Sequence, residues 1–144
     1  MFGFVVNRLG FLKSIPLAAL VFDSGIKIWI LLTKPEKLNW IDEIETEVLT
    51  WKDINVKLHK FGGTQFNLDK KEIGHVHSNG ILDILFSKTV KKKLLEEGRV
   101  KDHHIFKKSG WISFYIERNE DVAYANYLLK MAYLYIRSTT IRNE

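Results

Sequence analysis

Apolar positions along this chain recur with two different periods, and each change of period marks a new element. Between residues 38 and 50, Trp40, Ile41, Ile44, Val48 and Leu49 fall at helical spacing with Asp42, Glu43, Glu45 and Glu47 between them. That predicts an amphipathic helix whose acidic face is solvated. The period then drops to two. Ile54, Val56 and Leu58 alternate with Asn55, Lys57 and His59; Gly62-Gly63 turns the chain into a strand from Thr64 to Leu68, and Asp69-Lys70 turns it into another from Glu72 to His77. Asn79-Gly80, two residues that tolerate positive φ, predicts a hairpin into Ile81 to Phe86. Ser87 is placed to cap a basic helix, Lys88 to Glu97, that Gly98 ends. A polar loop from 99 to 110 leads to a last strand, Trp111 to Glu117, and Asn119 starts a long helix with Val122, Ala125, Leu129, Ala132, Tyr133 and Ile136 as its buried stripe. The order predicts an α+β domain: a mainly antiparallel sheet of about five strands with helices packed on one face.

The N-terminal part follows a different pattern. Two apolar segments, Val5 to Leu12 and Leu17 to Leu32, are separated near Pro16, and Ser24-Gly25 predicts a further break. Asp23 and Lys27 interrupt the second segment, so it falls short of the roughly 20 predominantly apolar residues of a spanning helix. The apolar start, Phe2 to Val6, and the lack of a small-residue cleavage motif argue against a secretion signal. Two readings stand: an arm that covers part of the core, or a peripheral membrane contact with Arg8, Lys13 and Lys27 at the head groups. The chain thus divides into an apolar arm (1–37), an α+β domain (38–137) and a C-terminal tail (138–144).

At 144 residues the chain fits one domain with a core of its own. It has no cysteine, which removes disulfides, thiolate nucleophiles and cysteine-based metal sites, and suits a reducing cytoplasm. The expected location is therefore cytoplasmic, with membrane association through the arm as the alternative. The net charge of +5 is uneven. Nine basic residues stand against five acidic ones between 71 and 110, whereas 41 to 70 is acidic and 111 to 144 is balanced.

Four of the five histidines fall in that basic stretch: His75, His77, His103 and His104. Alternate strand residues share a face, so His75 and His77 are expected to line one cavity, while only one of the adjacent pair His103 and His104 can reach it. The turn decides what stands opposite. A two-residue loop at Asn79-Gly80 places His75 against Ile84. A three-residue loop, Ser78-Asn79-Gly80 with Gly80 at positive φ, places His77 against Ile81 and His75 against Asp83. The second is expected, because Asp83 in an otherwise apolar strand needs a partner.

Several strings at this spacing, Phe61-Gly62-Gly63, Glu72-Ile73-Gly74-His75-Val76-His77, Leu82-Asp83, Glu97-Gly98-Arg99, His103-His104 and Ser109-Gly110-Trp111, together with the Leu- and Tyr-rich last helix, resemble the luciferase-like domain. That domain occurs in small bacterial proteins and in light-producing fungal enzymes. The resemblance covers roughly residues 38 to 136. It implies a shared fold and pocket, and the fungal chemistry implies cofactor-independent oxygenation of an electron-rich, planar, acidic molecule. Such a reaction needs a base, groups that stabilise negative charge, and a dry wall. By the resemblance, His75 or His77 would be the base, oriented by Asp83 or Glu72. His103 and Arg99 would stabilise charge, Trp111 would wall the ring, and His104 is a further candidate for substrate contact.

Two other readings compete. His-x-His on one face plus a loop histidine is a workable three-nitrogen set for zinc or iron, but Ser78 to Ile81 lack the glutamate that commonly completes such sites. The expectation is no metal and no cofactor. A non-enzymatic module with a basic patch, Lys88, Lys91, Lys92, Lys93, Arg99, Lys101, Lys107 and Lys108, is the alternative function, with phosphate, lipid or nucleic acid as its partner. No nucleic-acid motif accompanies the patch, so a small-molecule ligand is the expected partner.

Overall fold

The computed structural model describes residues 16–141 and is an α+β domain. Helices α1 (Pro16–Thr33) and α2 (Glu36–Leu49) lead into β1 (Ile54–Leu58), β2 (Thr64–Leu68), β3 (Lys71–Val76) and β4 (Ile81–Leu85). Then come α3 (Lys88–Glu96), β5 (Lys101–Asp102), β6 (Trp111–Tyr115) and α4 (Glu120–Ile141). All six strands form one antiparallel sheet in the order β1-β2-β3-β4-β6-β5.

Local chemistry accounts for the ends of these elements. The Ser87 hydroxyl accepts from the Val90 amide and caps α3, which Gly98 closes at φ +77°. Asp121 reaches back from the first turn of α4 to accept from the amides of Glu117 and Arg118. Two expectations change. The break at Ser24-Gly25 is absent: α1 is continuous, and the Ser24 hydroxyl donates to the Leu20 carbonyl within the helix instead of ending it. The loop at 99–110 contains a sixth strand, because Lys101 and Asp102 pair with Ser113 and Ile112. The predicted segment Val5 to Leu12 lies outside the described residues.

The helices α2 and α4 cover one face of the sheet. That face contributes Phe66, Val76, Leu82, Ile84, Ile112 and Phe114, which pack with Ile44 and Val48 of α2 and with Leu128, Leu129 and Tyr133 of α4. Burying each such side chain contributes about 1.5–3 kcal/mol. Leu49, expected on the buried stripe, is exposed, and among the described side chains of α1 Asp23 and Ile30 are the buried ones.

The opposite face is polar yet also largely buried. One row of register partners crosses all six strands, Lys57–Gln65–His75–Asp83–Ser113–Lys101. Its four inner members are buried. A buried polar row costs free energy unless its groups satisfy one another, so it marks where stability has been set against another requirement.

Candidate functional site

The hairpin between β3 and β4 sets the geometry. The His77 amide donates to the Ile81 carbonyl and the Gly80 amide to the His77 carbonyl, with Gly80 at φ +86°. This is the three-residue loop, and it places His75 directly against Asp83. On the next strand Asp83 faces Ser113, whose hydroxyl donates to Asp83 Oδ1.

The other carboxylate oxygen, Oδ2, is the focus of three imidazoles. Its distances to the Nε2 atoms of His75, His77 and His103 are 3.5, 3.4 and 3.6 Å. Asp83 itself has no exposed surface. Desolvation alone would raise its pKa, but the nearby imidazoles of His75 and His77 and the hydrogen bond from Ser113 outweigh that and hold it far below the ordinary carboxylate range. Asp83 is a buried anion with three imidazoles around its Oδ2, none of them close or aligned enough to form a hydrogen bond.

The histidines differ in state. His75 is buried, which by itself disfavours its charged form. Its two nitrogens, however, face Asp83 and, at 2.6 Å, Glu72 Oε1, and these raise its pKa overall. Burial also opposes the charge on Glu72, and the His75 hydrogen bond reverses this and lowers its pKa. Glu72, His75 and Asp83 therefore form a carboxylate–imidazole–carboxylate chain that favours the protonated ring. His103 Nδ1 accepts from the amides of Ile105 and Phe106, each at 3.1 Å, so it carries no proton and the ring proton sits on Nε2, 3.6 Å from Asp83 Oδ2. Burial lowers the pKa of His103, in keeping with this locked neutral tautomer.

His59 belongs to the same group, although the sequence marks it only as a polar position alternating with Ile54, Val56 and Leu58; it lies just past the end of β1. Its ring stacks on His75 with centroids 3.8 Å apart and planes 10° apart, and it meets His77 edge-on at 5.7 Å. Gly63 makes this approach feasible: the His59 amide donates to the Gly63 carbonyl, and a Cβ on Gly63 would lie 2.1 Å from the Val76 carbonyl oxygen. Extending the β1–β2–β3 register by one residue would have set His59 across Gly63 from His77. Burial, followed by the charge of His75, brings the pKa of His59 down to about 4. It is neutral, and its buried Nδ1 has no hydrogen-bond partner.

Of the other expected site residues, Trp111 is half-buried, with its ring 5.4 Å from His75 and 6.0 Å from His103. His104 stacks on the outer side of His103 and is exposed. Arg99 is not brought to the cluster. Its guanidinium lies 3.6 Å above the Tyr124 ring, which packs on Phe114, and Phe114 faces the helices on the other side of the sheet. The basic patch is also smaller than the sequence suggests. Lys91 turns inward, donating to the carbonyls of Lys107 and Ser109 and pairing with Asp102 at 2.7 Å, so it fastens the loop that carries His103.

His59, His75 and His77 each bring a ring nitrogen within 4.8 Å of the others, which raises the question of a metal. Lone pairs lie in the ring plane, so the parallel, stacked planes of His59 and His75 cannot both aim at one ion without a ring turning. Both nitrogens of His75 also already face carboxylates. With His75 already held between carboxylates, the three rings do not offer three free lone pairs aimed at one point.

A family model described as the luciferase domain matches residues 70–132, from the start of β3 into α4. The match takes in Glu72, His75, His77, Asp83, His103, Trp111 and Ser113; His59 lies before it. No curated protein and no solved structure matches the chain.

Proposed function

We propose, from the premise that residues 70–132 place this chain in the luciferase-like domain family, that the histidine cluster binds a small planar, acidic organic molecule and removes its proton. The observation that carries this reading is the buried Asp83 anion surrounded by imidazoles of which one, His77, reaches the surface with 22% of its side chain exposed. A carboxylate at Nε2 favours the tautomer with the proton there, which leaves the Nδ1 lone pair of His77 as the base. Asp83 then stabilises the imidazolium that forms, as an orienting carboxylate does. Trp111 and the rings beyond it supply a flat apolar wall against which a planar molecule can lie.

An enolate or phenolate made in this way is electron-rich and is the form that transfers an electron to dioxygen. Cofactor-independent oxygenation is therefore the reaction class the cluster suits. The test uses metal-stripped protein with hydroxylated pyrones and phenolic acids, following ligand-induced melting shifts and oxygen uptake. Wild type should show both with at least one compound, and His77→Ala should lose both while melting normally without ligand. Equal shifts for His77→Ala and wild type, or none for wild type with any compound, would return the cluster to a purely structural role.

A further inference from the structure

The polar row that holds Asp83 is flanked on its own face by apolar pairs. Residues two apart on a strand share a face and stand about 7 Å apart, so Ile81 with Tyr115 lies on one side of Asp83 and Ser113, and Leu85 with Trp111 on the other. On the first side the Tyr115 ring is topped by the Lys101 ammonium, 4.9 Å from its centroid. The second side leads into a strip of rings. Trp111 lies 5.4 Å from His75 and 6.0 Å from His103, and His103 lies 5.0 Å from Phe106. Leu85 is 38% exposed and Phe106 52%. A single exposed leucine is ordinary, but here apolar surface runs without a break from the histidine cluster, past the half-buried Trp111, to two side chains that face water.

We propose that this strip takes an alkyl arm of the molecule whose acidic ring sits at His77, so that the ligand is an amphipathic acid: a planar acidic head carrying a saturated chain. The inference rests on the reading of the cluster as a site for a small planar acid, and it names the class of molecule within that reading. Continuity selects the occupant. The strip begins at Trp111, the ring that walls the head, so a substituent of the bound molecule reaches Leu85 and Phe106 without a second binding event. Ring tilt then selects a flexible arm over a rigid one. Trp111 is inclined by 52° to His75 and by 59° to His103, and Phe106 by 32° to His103. A flat conjugated arm stacks on one plane and leaves the next, whereas rotation about single bonds lets a saturated chain follow all of them. A chain laid there also keeps water from the side of the cluster that holds His103, which strengthens the electrostatics around Asp83.

The test is calorimetric titration of the full chain with hydroxypyrones bearing methyl, butyl or octyl chains, each kept below its micelle concentration. Full burial of a methylene tightens binding about fourfold, so an arm lying on an open strip should gain about twofold per methylene, on the order of 100-fold from methyl to octyl. Leu85→Thr and Phe106→Ser replace exposed apolar side chains outside the helix-covered core, and each should reduce the methyl-to-octyl gain by about fourfold, the contact of about two methylenes. Equal affinity for all three chain lengths would overturn the alkyl arm and leave the acid site standing. The full gain retained in both variants would place the arm elsewhere and overturn the proposal, as would a conjugated chain of the same length that binds at least as tightly as octyl. Binding of none of the three would overturn the arm and the acid site together.

Discussion

Replacing His59 by phenylalanine should make the protein markedly less sensitive to mild acid. The neutral His59 ring is buried against His75, with a pKa brought down to about 4 from an ordinary value near 6.5. A base whose folded pKa is depressed is protonated preferentially in the unfolded chain. Its contribution is intact above pH 6.5 and is lost as the pH falls from 6.5 to 4. Between pH 7 and pH 5, linkage for a shift of that size amounts to about 2 kcal/mol of lost stability. His75 acts with the opposite sign, since its raised pKa gives stability that is complete below 6.5 and disappears as the pH rises through the folded value. It is present in both proteins and largely cancels in the comparison. The lowered pKa values of Asp83 and Glu72 withdraw stability only at more acid pH, which is why pH 5 is the useful lower point. Phenylalanine keeps a flat ring against His75 and cannot titrate; any packing cost is the same at both pH values. Urea unfolding followed by far-ultraviolet circular dichroism at pH 7 and pH 5 gives the four free energies. The loss on acidification should be smaller in His59→Phe by about 2 kcal/mol, and equal losses in the two proteins would refute a buried neutral His59.

Asp83→Asn, nearly the same shape, turns an anion surrounded by imidazoles into an amide whose NH₂ opposes the Nε2–H of His103. It should cost about 3–5 kcal/mol in denaturant unfolding, and a cost below about 1 kcal/mol would show that the imidazoles do not depend on the charge. Gly63→Ala puts a methyl group into the Val76 carbonyl oxygen at a residue with φ +84°, so it should cost at least about 1–3 kcal/mol and disturb the His59 and His77 ring resonances in NMR. Glu72→Gln should lower the pKa of His75, read from its ring-proton titration, because a hydrogen-bonded carboxylate is lost from Nδ1.

Much of the sheet was legible because period-two alternation is a direct consequence of strand geometry. The register of β3 on β4 was legible for a chemical reason: Asp83 in an apolar strand required a partner, and a three-residue turn is the connection that supplies His75. His59 was missed because a polar residue just beyond a strand gives no sign of its cover, which here is another imidazole meeting it across Gly63. The strand Lys101–Asp102 is too short to show any period, and its pairing with Ser113 and Ile112 depends on the tertiary fold. Arg99 stands between the histidines in sequence, but Val100 beside it turns into the core and the guanidinium finds the Tyr124 ring. Lys91 looked like one lysine among several because charge runs reveal nothing about which member is enclosed.

The polar row across the sheet also has a consequence for how the chain reaches its native state. The strands β1 to β4 are joined by short turns and can pair locally, but Ser113 stands 30 residues beyond Asp83, with α3 and the loop carrying His103 between them. Closing that longer loop costs more chain entropy than the local turns, so Asp83 should stay hydrated while the meander forms and be dried in the closing step. Substitutions at Ser113 or His103 should therefore leave the folding rate nearly unchanged and accelerate unfolding, giving φ-values near zero, while Val56 or Phe66 in the local hairpins should affect folding itself. The residues of the candidate site would then act as the last latch of the fold, and the lifetime of the native protein would be set where its chemistry is.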